Sequence, residues 1–280
     1  MIPDLDDKFI KFRRHMLVYD GLATTSADNL ARVARKILTD LGTAAPTIEQ
    51  VEIYIESLRE SDYSWSHICN QMLAIERYMR FIGQQVKFGR PRKPRRVVSN
   101  TLTEAEVAIL IDAARGSRER ALMAMLAYAV PRNQELCDLR VRHVDIANHE
   151  VYIEDGKGAR DRIAYIPGEC ARIQAEYIHD HRLTADMMLF KPTRGGEPKM
   201  RPHVVRRTVA RIAARTKIEK KIYPHIFRHS WATNMLNRGA NPRTIQAQLG
   251  HSFLETTMLY LENRPRHVKN ECQMFAPAYM

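Results

Sequence analysis

The sequence predicts a mainly α-helical protein of two domains, with a small antiparallel β-sheet in the second. Three observations carry this reading. Apolar residues recur at helical spacing through the first ninety residues. A stretch dense in arginine, lysine and proline breaks that pattern at residues 87–96. Beyond it, helical periods flank three short alternating runs that read as strands. A chain of 280 residues accommodates one or two domains, and a hydrophobic content of 45% is enough to bury a core. No apolar run approaches the length of a membrane span, and the N-terminus has no basic-then-apolar leader, so a cytoplasmic protein is expected. The four cysteines (Cys69, Cys137, Cys170, Cys272) are widely separated with no CxxC pair, which argues against a zinc site or a disulfide framework.

In the first domain, residues 1–86, four amphipathic helices are expected. Leu5, Phe9, Phe12 and Met16 share one face over residues 4–19. Leu30, Val33, Ala34, Ile37, Leu38 and Leu41 follow, until residues 42–46 break the period. Thr47-Ile48-Glu49-Gln50 is a capping-box pattern opening a helix through Val51, Tyr54, Ile55 and Leu58. Ile68, Met72, Ile75, Met79 and Ile82 mark the fourth. Short connections between such helices favour a small bundle.

Residues 87–100 are expected to be a linker. Six of the ten residues at 87–96 are basic, and two prolines and a glycine forbid a regular helix there. Extended and positively charged, this stretch suits a path along phosphates. The formal net charge of +12 points the same way, to a polyanionic partner, of which nucleic acid is the commonest.

The second domain, residues 101–280, opens on another capping box at Thr103–Glu106, with Val107, Leu110, Ile111 and Ala114 inward. A helix over 118–129 stops before Pro131, and a short one starts at Asn133 with Leu136 and Leu139 inward. Residues 144–146, 151–153 and 163–166 read as strands, and Lys157 sits at the tip of the second hairpin. Helices follow near 168–180, 202–216 and 225–238, the last closed by Gly239. Asn241-Pro242 caps another that ends at Gly250, and Ser252–Glu255 caps a final one bearing Tyr260.

The candidate chemistry gathers between His225 and Tyr260. His225 and Arg228 lie three apart at a helix start and can face one side. An arginine fork fits two phosphate oxygens and never loses its charge. Arg132, at another helix entry, would make a two-armed clamp on pentacoordinate phosphorus, with Glu135 holding it or a histidine in place. Tyr260 can attack phosphorus as a phenolate; with a reference pKa of ~10 it needs positive charge or a base nearby, and His251 is a candidate. Lys157 on a hairpin can give a proton to a leaving 5′ oxygen. Taken singly, each has an ordinary structural explanation.

Together they resemble the tyrosine recombinase (phage integrase) family, in its Xer-like two-domain form. Pro131-Arg132-Asn133-Gln134-Glu135-Leu136 resembles its first arginine box, Gly156-Lys157-Gly158 its hairpin, and His225-Ile226-Phe227-Arg228-His229 its HxxRH box. Leu249-Gly250-His251, Thr256-Thr257 and Tyr260 resemble its final box. The resemblance covers residues 101–263, and the N-terminal helices are similar in plan to the family's core-binding domain. One departure is Val130-Pro131 where the family usually has Gly-Leu, which puts the pose of Arg132 in question.

The resemblance implies a site-specific DNA recombinase. Arg132 and Arg228 would bind the scissile phosphate, His225 and His251 would position it and move protons, Lys157 would be the general acid, and Tyr260 the nucleophile. The product would be a 3′-phosphotyrosyl link, resolved through a Holliday junction by a tetramer on two DNA sites, without metal or other cofactor. The tail, residues 261–280, would dock on a neighbouring subunit through Val268, Cys272, Met274 and Phe275. Arg90, Arg92, Lys93, Arg95, Arg96, Arg160, Arg162, Arg206 and Arg207 are candidate contacts to the DNA backbone. Two other readings remain: a nicking and closing enzyme like the type IB topoisomerases, and a DNA-binding protein that keeps the fold without cutting.

Overall fold

The computed structural model describes residues 5–92, 101–154, 161–192 and 199–250. Lys93, Arg95, Arg96, Lys157, Arg160, His251, Tyr260 and the tail lie outside these residues. The chain divides into two compact units, Met1–Arg96 and Val97–Met280. Among the described residues, no helix is long and apolar enough to cross a membrane.

The first unit contains α1 (Leu5–Val18), α2 (Thr24–Asp40), α3 (Ile48–Glu60) and α4 (Trp65–Phe81). Helix α2 packs on α1 and α4, and α3 packs on α4. The expected apolar stripes form the core: Phe9, Phe12 and Met16 from α1, Leu30 to Leu38 from α2, Val51 and Ile55 from α3, Ile68 to Met79 from α4. The capping box at Thr47 is present in both directions. Tyr78 is fully buried because its hydroxyl donates to the Ala44 carbonyl (2.8 Å) while Phe12 meets its ring edge-on.

The basic stretch does not leave this unit at residue 87, where the tether was expected to begin. Val86 and Phe88 pack against the core. Buried Glu76 accepts the Phe88 amide (2.8 Å) and pairs with Arg90. The Trp65 indole donates to the Pro91 carbonyl (2.8 Å), and Arg59 donates to Gly89. A carboxylate buried in the bundle needs a partner, and the chain after α4 supplies two.

The second unit runs α5 (Glu104–Asp112), α6 (Gly116–Ala124), α7 (Asn133–Asp138), β1 (Val144–Asp145), β2 (Glu150–Ile153), β3 (Arg162–Tyr165), α8 (Gly168–Asp180), α9 (Pro202–Ala213), α10 (Pro224–Asn237) and α11 (Pro242–Leu249). The sheet is antiparallel in the order β1-β2-β3, with Tyr152 opposite Ile163 and Val151 opposite Ala164. Its inner face (Val151, Ile153, Ala164) joins a core that includes Leu122, Leu126, Leu136, Tyr177 and Phe227. The helix expected over 118–129 differs in its second half. Residues Met125–Ala129 form a π turn, and Val130 follows in the left-handed region at φ 46°. The extra residue in that turn redirects the backbone just before Arg132. Beyond it, Val130, Ala232, Leu236, Ile245 and Leu249 form a separate small apolar cluster that joins the π turn to α10 and α11.

Candidate active site

Arg132 and Arg228 are each placed by a local device. Arg132 precedes α7 by one residue, and its amide donates to the Glu135 carboxylate (2.7 Å), which caps the helix start. Its guanidinium bonds the same carboxylate (2.6 Å) and the Gly250 carbonyl (3.0 Å), and the side chain remains 38% exposed. Arg228 sits in the second turn of α10, after Pro224 at the helix start. It is buried, donating to the Val130 carbonyl and to the Leu249 carbonyl (2.7 Å).

The two arginines therefore converge on the last turn of α11, where Leu249 and Gly250 offer consecutive carbonyls. A helix C-terminus carries partial negative charge and unpaired carbonyls, so it is a natural seat for two cations. The next residue in the chain is His251. His225, one turn before Arg228, makes an edge-to-face contact with His229 (centroids 4.6 Å). Desolvation, and then the charges of Arg228 and Arg132, lower its pKa from 6.5, so it stands neutral at pH 7. His225, Arg132 and Arg228 are thus brought together.

Arg162 is not where an exposed hairpin residue would be. Its side chain is 7% exposed and forms a forked ion pair with Glu135 (3.1 and 2.7 Å). Its Nε donates to the Gln248 carbonyl (3.1 Å). This corrects the expectation that Arg162 contacts the DNA backbone: β3 alternates, so Arg162 shares the inner face with Ala164. Arg90 is also occupied, by Glu76, with 36% of its side chain exposed. Arg92, Arg206 and Arg207 are exposed, the last two side by side on α9.

Burial alone would raise the Glu135 pKa, but Arg162 and then Arg132 outweigh it and hold the carboxyl at about 2. Two features that the sequence reading did not give, the fit of Gly250 against Arg162 and the role of Gln248, complete the frame. Gly250 has φ +64°, and a Cβ there would stand 2.7 Å from Arg162 Cδ, so glycine is required twice over. The Gln248 carboxamide accepts the Tyr165 amide (3.0 Å) and donates to the Tyr165 and Tyr128 carbonyls (2.9 and 3.3 Å), fastening α11 to the edge of β3.

The sequence profile of the phage integrase family matches residues 100–267. A tyrosine recombinase of Thermosipho africanus is 30% identical over 244 residues, spanning 81% of this chain and 84% of its own length. Tyrosine recombinase XerA of Pyrococcus horikoshii is 28% identical over 228 residues, spanning 80% and 79%. The fold is also that of the Tn1549 transposon integrase, solved in complex with transposon right end DNA, with a TM-score of 0.72 at 16% identity over 98% of this chain and 99% of that one. The chain belongs to the phage integrase family and is a tyrosine recombinase, an enzyme of site-specific DNA recombination.

Proposed function

We propose that this recombinase cuts and rejoins double-stranded DNA at a core site through a covalent link to Tyr260. The observation that supports it best is the convergence of Arg132 and Arg228, from different helices, on the last turn of α11 beside His225. Two arginines there can hold the oxygens of one phosphodiester and gain strength as negative charge builds on phosphorus. Neutral His225 can donate to a phosphate oxygen or accept the tyrosyl proton.

The Tyr260 oxygen attacks phosphorus and the bond to the 5′ oxygen breaks. Lys157 gives that oxygen its proton, leaving a 5′-hydroxyl and a 3′-phosphotyrosyl ester. The reverse step with another strand's 5′-hydroxyl rejoins the DNA, and two such exchanges pass through a Holliday junction. Bond energy stays in the ester, so no nucleotide is consumed. In this reading His251 helps position the phosphate. The four-helix unit binds the core site, four copies assemble on two sites, and residues 261–280 dock on a neighbouring copy. Arg92, Lys93, Arg95, Arg96, Arg160, Arg206 and Arg207 lie along the DNA backbone, with Arg90 contributing its exposed part. The biological outcome is chromosome dimer resolution or integration and excision of a mobile element.

Selection of bound sequences from a random pool gives the site. A nicked duplex carrying that site then traps a protein–DNA adduct with wild-type protein and none with Tyr260→Phe. Binding without any adduct would favour the silent DNA-binding reading. Relaxation of supercoils without strand exchange would favour the topoisomerase-like one.

A further inference from the structure

We propose that Arg162 is a positioning residue for strand cleavage: it neutralises the carboxylate that holds Arg132, so that the phosphate clamp keeps its positive charge. This rests on the reading above that Arg132 and Arg228 grip the scissile phosphate.

Holding Arg132 in place raises an electrostatic problem. Glu135 fixes the guanidinium with a hydrogen bond of 2.6 Å, yet a lone carboxylate at that distance would cancel the charge it positions. Arg162 resolves this. Both of its terminal nitrogens bond Glu135, one to each oxygen, so each oxygen is shared between the two arginines. Three cations, Arg132, Arg162 and Arg228, donate to carbonyls of the last turn of α11, and Glu135 is the carboxylate paired with the first two, which leaves a surplus of two positive charges among these four groups.

The burial pattern directs that surplus outward. Arg162 and Glu135 each have 7% of the side chain exposed, whereas Arg132 has 38%. Of these three groups, Arg132 presents the most surface to an incoming phosphate. Arg162 is also kept from leaving. Its Nε is tied to the Gln248 carbonyl, and its stem lies where Gly250 has no side chain. It acts through Glu135 as a fixed counter-cation. A merely structural Arg162 would brace β3 against α7 and α11 without regard to charge.

The test separates charge from bracing. Arg162→Met removes one cation and leaves a surplus of one. Glu135→Gln/Arg162→Met removes both partners and restores two. Arg162→Lys keeps the charge and loses the fork. Single-turnover cleavage is read on nicked duplexes carrying the selected site, with either a phosphate or an uncharged methylphosphonate at the scissile position. Arg162→Met should slow phosphate cleavage by about 10²-fold, the scale of losing one charge-stabilising donor, and should lose less than about 10-fold on the methylphosphonate. The double variant should return to within about 10-fold of wild type on phosphate, with Arg162→Lys between it and Arg162→Met. Equal loss on both duplexes, or a double variant slower than Arg162→Met, overturns the proposal. If Arg162→Met does not fold by thermal melt, the Lys and double variants decide: activity of both well below wild type on phosphate and methylphosphonate alike overturns it. If wild-type protein binds but forms no adduct, the cleavage reading fails. Arg162 is then judged on affinity, where Arg162→Met must weaken the phosphate duplex more than the methylphosphonate duplex, and equal weakening overturns it.

Discussion

Val130 holds a β-branched side chain at φ 46°, a conformation that costs about 1–3 kcal/mol outside glycine. The left-handed backbone lets the chain leave the π turn and bring Arg132 to the start of α7. Glycine is what the family usually has at this position, and the backbone explains why. Here the strain is offset because the Val130 side chain is fully buried in the cluster with Ala232, Leu236, Ile245 and Leu249. An unusual order of stability follows. Val130→Ala keeps the strain and loses the packing, whereas Val130→Gly loses the packing and relieves the strain. Urea unfolding should therefore find the alanine variant less stable than the glycine variant, by about 1 kcal/mol. Gly250 is the opposite case. Gly250→Ala adds a left-handed penalty and a collision with Arg162, and should cost at least about 1–2 kcal/mol in the same measurement while also slowing cleavage. Arg132 and Arg228 were legible in the sequence because each sits in a local word. Arg162 was legible in principle: the period of two that marked the strand places it with Ala164, facing inward. Its partner Glu135 lies 27 residues earlier, and nothing local announces that pairing.

At the scale of elements, periodicity and capping were enough to locate nearly all the helices and the three strands, because those signals are written in neighbouring residues. The π turn was not legible, since no local pattern marks an extra residue in a helix, and Val130, where the turn ends, packs in a cluster built from α10 and α11. The docking of residues 87–92 was hidden for a similar reason: a charged, proline-rich stretch reads as solvated until Glu76 is seen buried beneath it. Helix α11 shows how a short element is held. Eight residues cannot sustain a helix alone, and Gln248 supplies three hydrogen bonds to Tyr165 and Tyr128. Gln248→Leu should cost about 2–3 kcal/mol in chemical denaturation, because it leaves the backbone groups of the strand edge without partners. Cleavage should fall with it, since the carbonyls of Leu249 and Gly250 seat both arginines.

Across the whole molecule, the acid limb of stability follows from buried carboxylates. Glu135 has its pKa lowered from 4.5 to about 2, and Glu119, paired with Arg215 and Arg211, is also lowered despite burial. A depressed folded-state value gives stability that is complete above the unfolded value and is lost as pH falls from about 4.5 toward 2. Melting temperature should drop over that window, and Glu135→Gln should flatten part of the drop. The net charge of +12 makes a second prediction at this scale. Replacing exposed Arg206 and Arg207 together by Gln should weaken binding to every DNA sequence alike and reduce the slope of log affinity against log salt by about 1.8. A loss confined to one sequence would show instead that these residues read bases.

The amide hydrogen of Tyr165 is held by the Gln248 carboxamide, not by a neighbouring strand. It can exchange with solvent deuterium only when α11 lifts from the sheet edge, the same motion that would carry the Leu249 and Gly250 carbonyls away from the two arginines. One proton thus keeps time for the opening of the proposed phosphate clamp. Its exchange should accelerate in Gln248→Leu and slow when DNA is bound, while amides inside the β2–β3 ladder keep their own, slower rates.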